Sequence, residues 1–312
     1  MTNNRTKGTA MPERVLRWIV ASVEAASEVH HVQQLQGGIS SLIHRITLRR
    51  SGVEESYVVR QFNNEDWLRE EPDLAWHEAE SLRHAERLAI PTPKLIAYDE
   101  TGEHGNVPAL LMSHLNGSVV LEPRDKQGWI HGLASTLVTI HNSDTDDFPW
   151  KYATYQNLEK LEAPAWGKDR AMWQQVIDYV KRPRPAFPPR FIHRDYHPTN
   201  VLWANGEVSG VVDWVNACVG PAGIDVGHCR VNLAQLYDVE TADAFLTAYQ
   251  QEAGESFRYD PYWDLVSLTD ILFGPPQVYA GWTALGFTGL TDALIADRLE
   301  EYAKSLVERI AR

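Results

Sequence analysis

His193-Arg194-Asp195-Tyr196-His197-Pro198-Thr199-Asn200, followed by Val211-Val212-Asp213-Trp214, places an Asp, an Asn and a second Asp in one short stretch of the chain. Those residue types suit phosphoryl transfer. The first carboxylate can accept the proton of an attacking hydroxyl. The amide and the second carboxylate can hold Mg²⁺ against the phosphates of a nucleotide. Asp195 is therefore the candidate base, with Asn200 and Asp213 as candidate Mg²⁺ ligands. His193-x-Asp195-x-His197 could instead be a transition-metal set. Pro198 breaks the strand such a set would need, and the sequence shows no further ligand cluster.

A hairpin must bring the distant Asp213 back to Asn200. Asn205-Gly206 lies between two short apolar runs, and both turn residues of such a hairpin need positive φ. With a two-residue turn, Ala204 faces Glu207. Pairing outward then sets Asp213 opposite Pro198, with Asn200 as a diagonal neighbour. Asp195 precedes the hairpin in a loop, where a base can meet a substrate hydroxyl.

The earlier part of the chain supplies a nucleotide grip. Residues 42–49 alternate apolar and polar, as in a half-buried strand, and Tyr57 to Phe62 form a second strand. Apolar positions from Ala75 to Ala89 recur at helical spacing, and Glu78 falls on that stripe. A carboxylate aimed inward is costly unless paired. Arg60 is its natural partner, and the pair would aim guanidinium donors at the α/β-phosphates. Gly37-Gly38 could let backbone amides approach phosphate. Ala109 to Met112 is an apolar strand running into Ser113-His114-Leu115-Asn116-Gly117, read as a hinge. A strand-rich lobe over residues 1–112 thus precedes a larger, mainly helical lobe over residues 118–312, with 113–117 between them. The class is α+β.

Composition narrows the partners. The net charge of −13 argues against a nucleic-acid partner, which needs clustered Lys and Arg. Such a surface suits a cationic small molecule. Two cysteines, Cys218 and Cys229, cannot build a disulfide framework and point to a reducing compartment. No apolar run reaches the roughly 20 residues of a membrane span. A cytoplasmic protein without a membrane partner is expected. The aromatic residues Tyr259, Tyr262, Trp263, Phe273, Tyr279, Trp282 and Phe287 belong mainly to a core, with some at an acceptor pocket. Asp260, Asp264 and Asp270 could meet a cationic acceptor or serve as caps.

Taken in order, these motifs resemble the aminoglycoside phosphotransferase and choline kinase group, small-molecule kinases with a protein-kinase-like fold. The likeness runs from about Gly37 to about Leu233. It includes Gly37-Gly38-Ile39-Ser40 as the opening loop, Tyr57-Val58-Val59-Arg60, Glu78 to Leu82, the hinge, the Asp195 segment and Gly220-Pro221 to Asp225. The resemblance implies ATP or GTP as donor, with Gly38, Ser40, Arg60, Glu78, Ser113 and Leu115 around the nucleotide. It implies Asp225 and His193 as structural supports of the catalytic loop, and His197 as a contact to phosphate or substrate. The acceptor would be a hydroxyl of a small molecule, an antibiotic or a metabolite alcohol. Arg194 departs from the group, which usually has Gly there. A catalytically quiet nucleotide-binding protein and a protein kinase are the alternatives. The second lacks an Ala-Pro-Glu motif after Asp213.

Overall fold

A computed structural model describes residues 11–23, 27–35, 41–145 and 147–311. The chain divides into two compact units, Met1–Glu86 with Pro93–Leu115, and Arg87–Thr92 with Asn116–Arg312.

The first unit is built on an antiparallel sheet. Its elements are α1 (Glu13–Val23), β1 (Glu28–Gln34), β2 (Leu42–Arg50), β3 (Val53–Gln61), α2 (Glu65–Glu70), α3 (Leu74–Ala85), β4 (Leu95–Asp99) and β5 (Ala109–Ser113). The strand order is β1-β2-β3-β5-β4. Alternation in β2 buries His44, Ile46 and Leu48 on one face. Val15 and Ile19 of α1 join Ile46, Leu48, Tyr57, Val59 and Leu111 in one core. Full burial of such an aliphatic side chain contributes roughly 1.5–3 kcal/mol. The helix α3 is shorter than the spacing predicts, ending at Ala85 rather than Ala89. Its buried face carries Leu74, Ala75, Glu78, Ala79, Leu82 and Ala85, and it packs on β4 and β5.

The second unit is mainly helical. It contains β6 (Ser118–Val119), α4 (Lys126–His141), α5 (Arg170–Val180), β7 (Pro189–Ile192), β8 (Val201–Ala204), β9 (Glu207–Val211), β10 (Cys218–Pro221), α6 (Ala222–Leu236), α7 (Val239–Ala253), α8 (Pro261–Asp270), α9 (Ala280–Ala284) and α10 (Asp292–Ile310). Two small sheets, β6-β8-β9 and β10-β7, carry the loops of interest. The helix α6 is buried along almost its whole length and packs against α7, α8 and α10. Among its residues, Arg230 is completely buried and is ion-paired with Asp264 and Asp243.

Tyr262, Trp263 and Trp282 are core, whereas Phe273 is exposed. Cys218 and Cys229 are free and buried. No helix among the described residues is long and apolar enough to cross a membrane.

Candidate active site

The β8–β9 hairpin turns at Asn205 (φ 54°) and Gly206 (φ 84°), the left-handed pair that a two-residue turn requires. Ala204 faces Glu207, and Trp203 faces Val208. Beyond that point the structure corrects the simple register. A shift between Leu202 and Trp203 pairs Leu202 with Gly210 and Val201 with Val211. One extra residue, Ser209, is thereby accommodated in β9. The backbone N–H of Val212 then donates to the Asn200 carbonyl at 2.9 Å, so Asp213 lies one step beyond Asn200 and not opposite Pro198.

Asp213 is fixed by its neighbours. His193 Nε2 bonds the Val212 carbonyl at 2.9 Å, and Trp214 Nε1–H donates to the Val211 carbonyl at 2.9 Å. The buried Trp214 ring stacks on Phe191 and lies 4.6 Å from the His193 ring. Burial pushes the His193 imidazole below its ordinary pKa, so the ring is a neutral donor to Val212. Asp213 itself takes φ 66°, and Arg194 takes φ 70°. Positive φ is uncommon outside glycine and gathers at functional sites.

The segment before the hairpin is held from α6. Asp225 accepts the backbone N–H of His193 on one carboxylate oxygen and that of Arg194 on the other, both at 2.7 Å. His141 Nε2 meets Asp225 at 3.0 Å, and His141 Nδ1 meets the Tyr249 hydroxyl at 2.7 Å. Burial would raise the Asp225 pKa, but these hydrogen bonds and the nearby imidazoles outweigh it and hold the carboxyl below its ordinary value. Arg194 occupies a built site of its own. It pairs with Asp270 at 3.0 Å, donates to the Ala153 carbonyl at 3.1 Å, and lies 3.9 Å over the Tyr155 ring.

Asp195 projects from this braced loop with its side chain 30% exposed. Its two oxygens face different partners. Oδ2 lies 3.2 Å from Asn200 Nδ2, which also donates to the Asp195 carbonyl at 2.8 Å. Oδ1 lies 3.0 Å from His228 Nε2 and 3.6 Å from His197 Nε2. Burial pushes the carboxyl up, and the two imidazoles reverse that, holding it well below the usual carboxylate range. Tyr279 stands beside this group, with its ring 6.3 Å from that of His197. Its hydroxyl is pushed up to about 12 by burial and by the charges of both Asp195 and Asp213.

In the first unit, Arg60 Nη1 meets Glu78 Oε1 at 3.1 Å, and both side chains are buried. Arg60 Nε–H also donates to Ser41 Oγ at 2.8 Å, and the guanidinium lies 5.2 Å from the Phe62 ring centre. Ser113 ends β5, where its Oγ accepts the Lys94 N–H at 2.8 Å. Leu115 follows, partly buried. Gly38 and Ser40, with the rest of residues 36–40, lie outside the described residues.

Two partners escape the sequence reading. His228 stands one helical turn after Asp225 on α6, so the i,i+3 spacing from a loop-facing carboxylate is the signal that would find it. His141 has no such signal, because its partners are 84 and 108 residues away. Of the acidic residues proposed for a cationic acceptor, Asp270 pairs with Arg194, Asp264 pairs with Arg230, and Asp260 caps α8.

Residues 31–262 match the phosphotransferase enzyme family, APH. The match spans most of the chain, and the protein belongs to this family. Among curated relatives, the homoserine kinase of Methylocella silvestris is 29% identical over 162 residues, which is 47% of this chain and 50% of that one. The N-acetylmuramate/N-acetylglucosamine kinase of Neisseria meningitidis is 36% identical over 59 residues, covering 19% of this chain and 17% of that one. The chain thus spans about half the length of the first relative and less of the second.

Solved structures share the fold. A thermostable mutant of aminoglycoside phosphotransferase APH(4)-Ia, in ternary complex with ADP and hygromycin B, aligns with a TM-score of 0.61 at 16% identity, covering 96% of this chain and 99% of that one. Macrolide 2'-phosphotransferase MphH from Brachybacterium faecium aligns with a TM-score of 0.57 at 17% identity, covering 91% and 97%. The α+β class, with a sheet in the first part and helices in the second, is the one these structures have.

Proposed function

We propose that this protein is a small-molecule kinase that moves the γ-phosphoryl of ATP or GTP to a hydroxyl group. One observation carries the reading. Asp195 and Asn200 are joined on a loop whose backbone N–H groups are anchored by the buried Asp225. Catalysis of this kind consists of positioning and electrostatic stabilisation, and a rigid loop is what it needs.

Asp195 is the base or orienting group for the acceptor hydroxyl. Its lowered pKa leaves the carboxylate ionised at neutral pH, able to accept a hydrogen bond from the acceptor hydroxyl and orient it. Asn200 and Asp213 are the proposed Mg²⁺ ligands, and the donor set fits the ion. With its nitrogen committed to Asp195, Asn200 offers a carbonyl oxygen, and Asp213 offers a carboxylate. Mg²⁺ prefers hard oxygen donors of this sort. When bound, it neutralises charge on the donor phosphates.

In the first unit, Arg60 is proposed to face the α/β-phosphates, held by Glu78. Ser113 and Leu115 are proposed to meet the nucleotide base, and Gly38 and Ser40 the phosphates. His193 and Asp225 support the loop, and His197 is proposed to contact the phosphate or the substrate. The neighbouring structures in complex with ADP or AMP-PNP favour an adenine nucleotide.

Homoserine, amino sugars, macrolides and aminoglycosides, named for the relatives and structural neighbours, are all alcohols. They define the acceptor class to be screened. A cationic acceptor gains no support from Asp264 or Asp270, which are already paired. The test is nucleoside diphosphate release across a panel of such alcohols and a generic protein substrate, with Asp195→Asn as the control. Acceptor-dependent release with one small molecule supports the reading. Release with the protein substrate alone, or with none, contradicts it.

A further inference from the structure

Asp195, His197 and His228 come from a loop and from α6, and one possible ligand atom from each lies within 4.8 Å of the other two. Around one tetrahedral cation with bonds of about 2.0–2.2 Å, donor atoms stand roughly 3.4 Å apart. The two distances from Asp195, 3.0 Å to His228 and 3.6 Å to His197, bracket that value. The His197 distance exceeds a hydrogen bond, so the ring faces the carboxylate without being bonded to it.

The Thr199 hydroxyl lies against the His197 ring, 2.8 Å from Nδ1 and 3.3 Å from Nε2. The two imidazole rings are 5.6 Å apart and inclined at 70°, so each can present its nitrogen without stacking on the other. The His197 and His228 side chains are 7% and 14% exposed, which limits competing water.

We propose that Asp195, His197 and His228 form a binding site for one transition-metal cation of the Zn²⁺ class, distinct from the Mg²⁺ position given to Asn200 and Asp213, and that its occupation blocks phosphoryl transfer. Two imidazoles with one carboxylate suit Zn²⁺, whereas Mg²⁺ selects oxygen donors. Binding replaces the His228 Nε2–Asp195 contact by the cation: the Nε2 proton passes to solvent and the ring, neutral with its proton on Nδ1, offers the Nε2 lone pair. The Oδ1 lone pair then belongs to the metal and is lost to the acceptor hydroxyl. The blocking half rests on the role proposed for Asp195; the binding half does not.

Two measurements test it. Titration calorimetry with Zn²⁺ in excess Mg²⁺, together with the visible spectrum of the Co²⁺-loaded protein, reads binding without turnover. The wild type is expected to bind one Zn²⁺ per chain. His228→Ala and His197→Ala are expected to lose that binding and the Co²⁺ bands. Circular dichroism and Mg·ADP binding establish that each variant is folded, and His228→Gln serves if His228→Ala is not.

Kinetic measurements read the second half. Zn²⁺ is expected to inhibit the wild type competitively against the acceptor and not against Mg·nucleotide, with a much higher inhibition constant in His228→Gln. No Zn²⁺ binding, or equal binding by wild type and His228→Ala, overturns the site. Bound Zn²⁺ that leaves turnover unchanged or accelerates it overturns the blocking role. If no acceptor is ever phosphorylated, the kinase reading fails while calorimetry still decides the site.

Discussion

Asn200 is tied to Asp195 twice, through its Nδ2 to the Asp195 carbonyl at 2.8 Å and to Oδ2 at 3.2 Å. In the proposed reading, one amide steadies the base and leaves its oxygen for Mg²⁺. Asn200→Ala should fail in both respects, with weaker Mg·nucleotide binding and slower transfer at saturating nucleotide. Asn200→Asp restores an oxygen donor but sets a second carboxylate beside Asp195. Its Mg·ADP affinity should recover more than its kcat, and calorimetry beside steady-state kinetics will separate the two. Parallel recovery of both would contradict the dual role.

The buried Arg60–Glu78 pair sets the second prediction. Removing one partner strands the other charge in the interior, at a cost of about 3–5 kcal/mol. Glu78→Ala should therefore lower the melting temperature and raise KM for the nucleotide. Arg60→Lys keeps the charge but not the fork that reaches both Ser41 and Glu78, so it should raise KM with a smaller loss of stability. An unchanged nucleotide KM in both variants would remove Arg60 from the donor site.

Arg194 sets two effects against each other. Glycine there would relieve a positive φ worth about 1–3 kcal/mol. It would also strand Asp270, whose burial already pushes its carboxyl up even with Arg194 beside it. The stranded charge costs about 3–5 kcal/mol and should win. Arg194→Gly is expected to be destabilised, and adding Asp270→Asn should restore much of the loss. Chemical denaturation of the three variants checks both signs.

Asp225 gives a pH dependence. Its folded pKa lies below its ordinary value, so the unfolded chain takes up its proton first. Its stabilising contribution is complete above the unfolded pKa of about 3.9 and is lost as pH falls through the folded value. The stability gap between wild type and Asp225→Asn should therefore be widest near neutrality and shrink on acidification. Melting curves across that range test it; a constant gap would mean Asp225 is not held ionised by His141 and the loop.

Local pattern carried much of the fold into the sequence. Alternation marked β2, helical spacing marked α3, and Asn205-Gly206 marked the hairpin, because each depends on neighbours within a few residues. The extra residue at Ser209 left no such trace. A bulge changes register without changing composition, and here it moved Asp213 by one position. The inward aim of Glu78 was legible from its place on the helix stripe, and so was the need for a cationic partner. His228 and His141 were not legible, since their partners are brought close only by tertiary packing of α6 and α4. The assigned use of Asp264 and Asp270 was also hidden, because an acidic residue reads the same whether it faces solvent or a buried arginine.

The division of labour between Asp195 and Asp213 is tested most directly by measuring turnover and Mg·ADP affinity in the same pair of alanine variants. Asp195→Ala should lose about 10²–10⁴-fold in kcat while binding Mg·ADP nearly as well as the wild type. Asp213→Ala should bind Mg·ADP much more weakly. Near-normal turnover without the Asp195 carboxylate, or undiminished Mg·ADP binding without that of Asp213, would contradict the assignment.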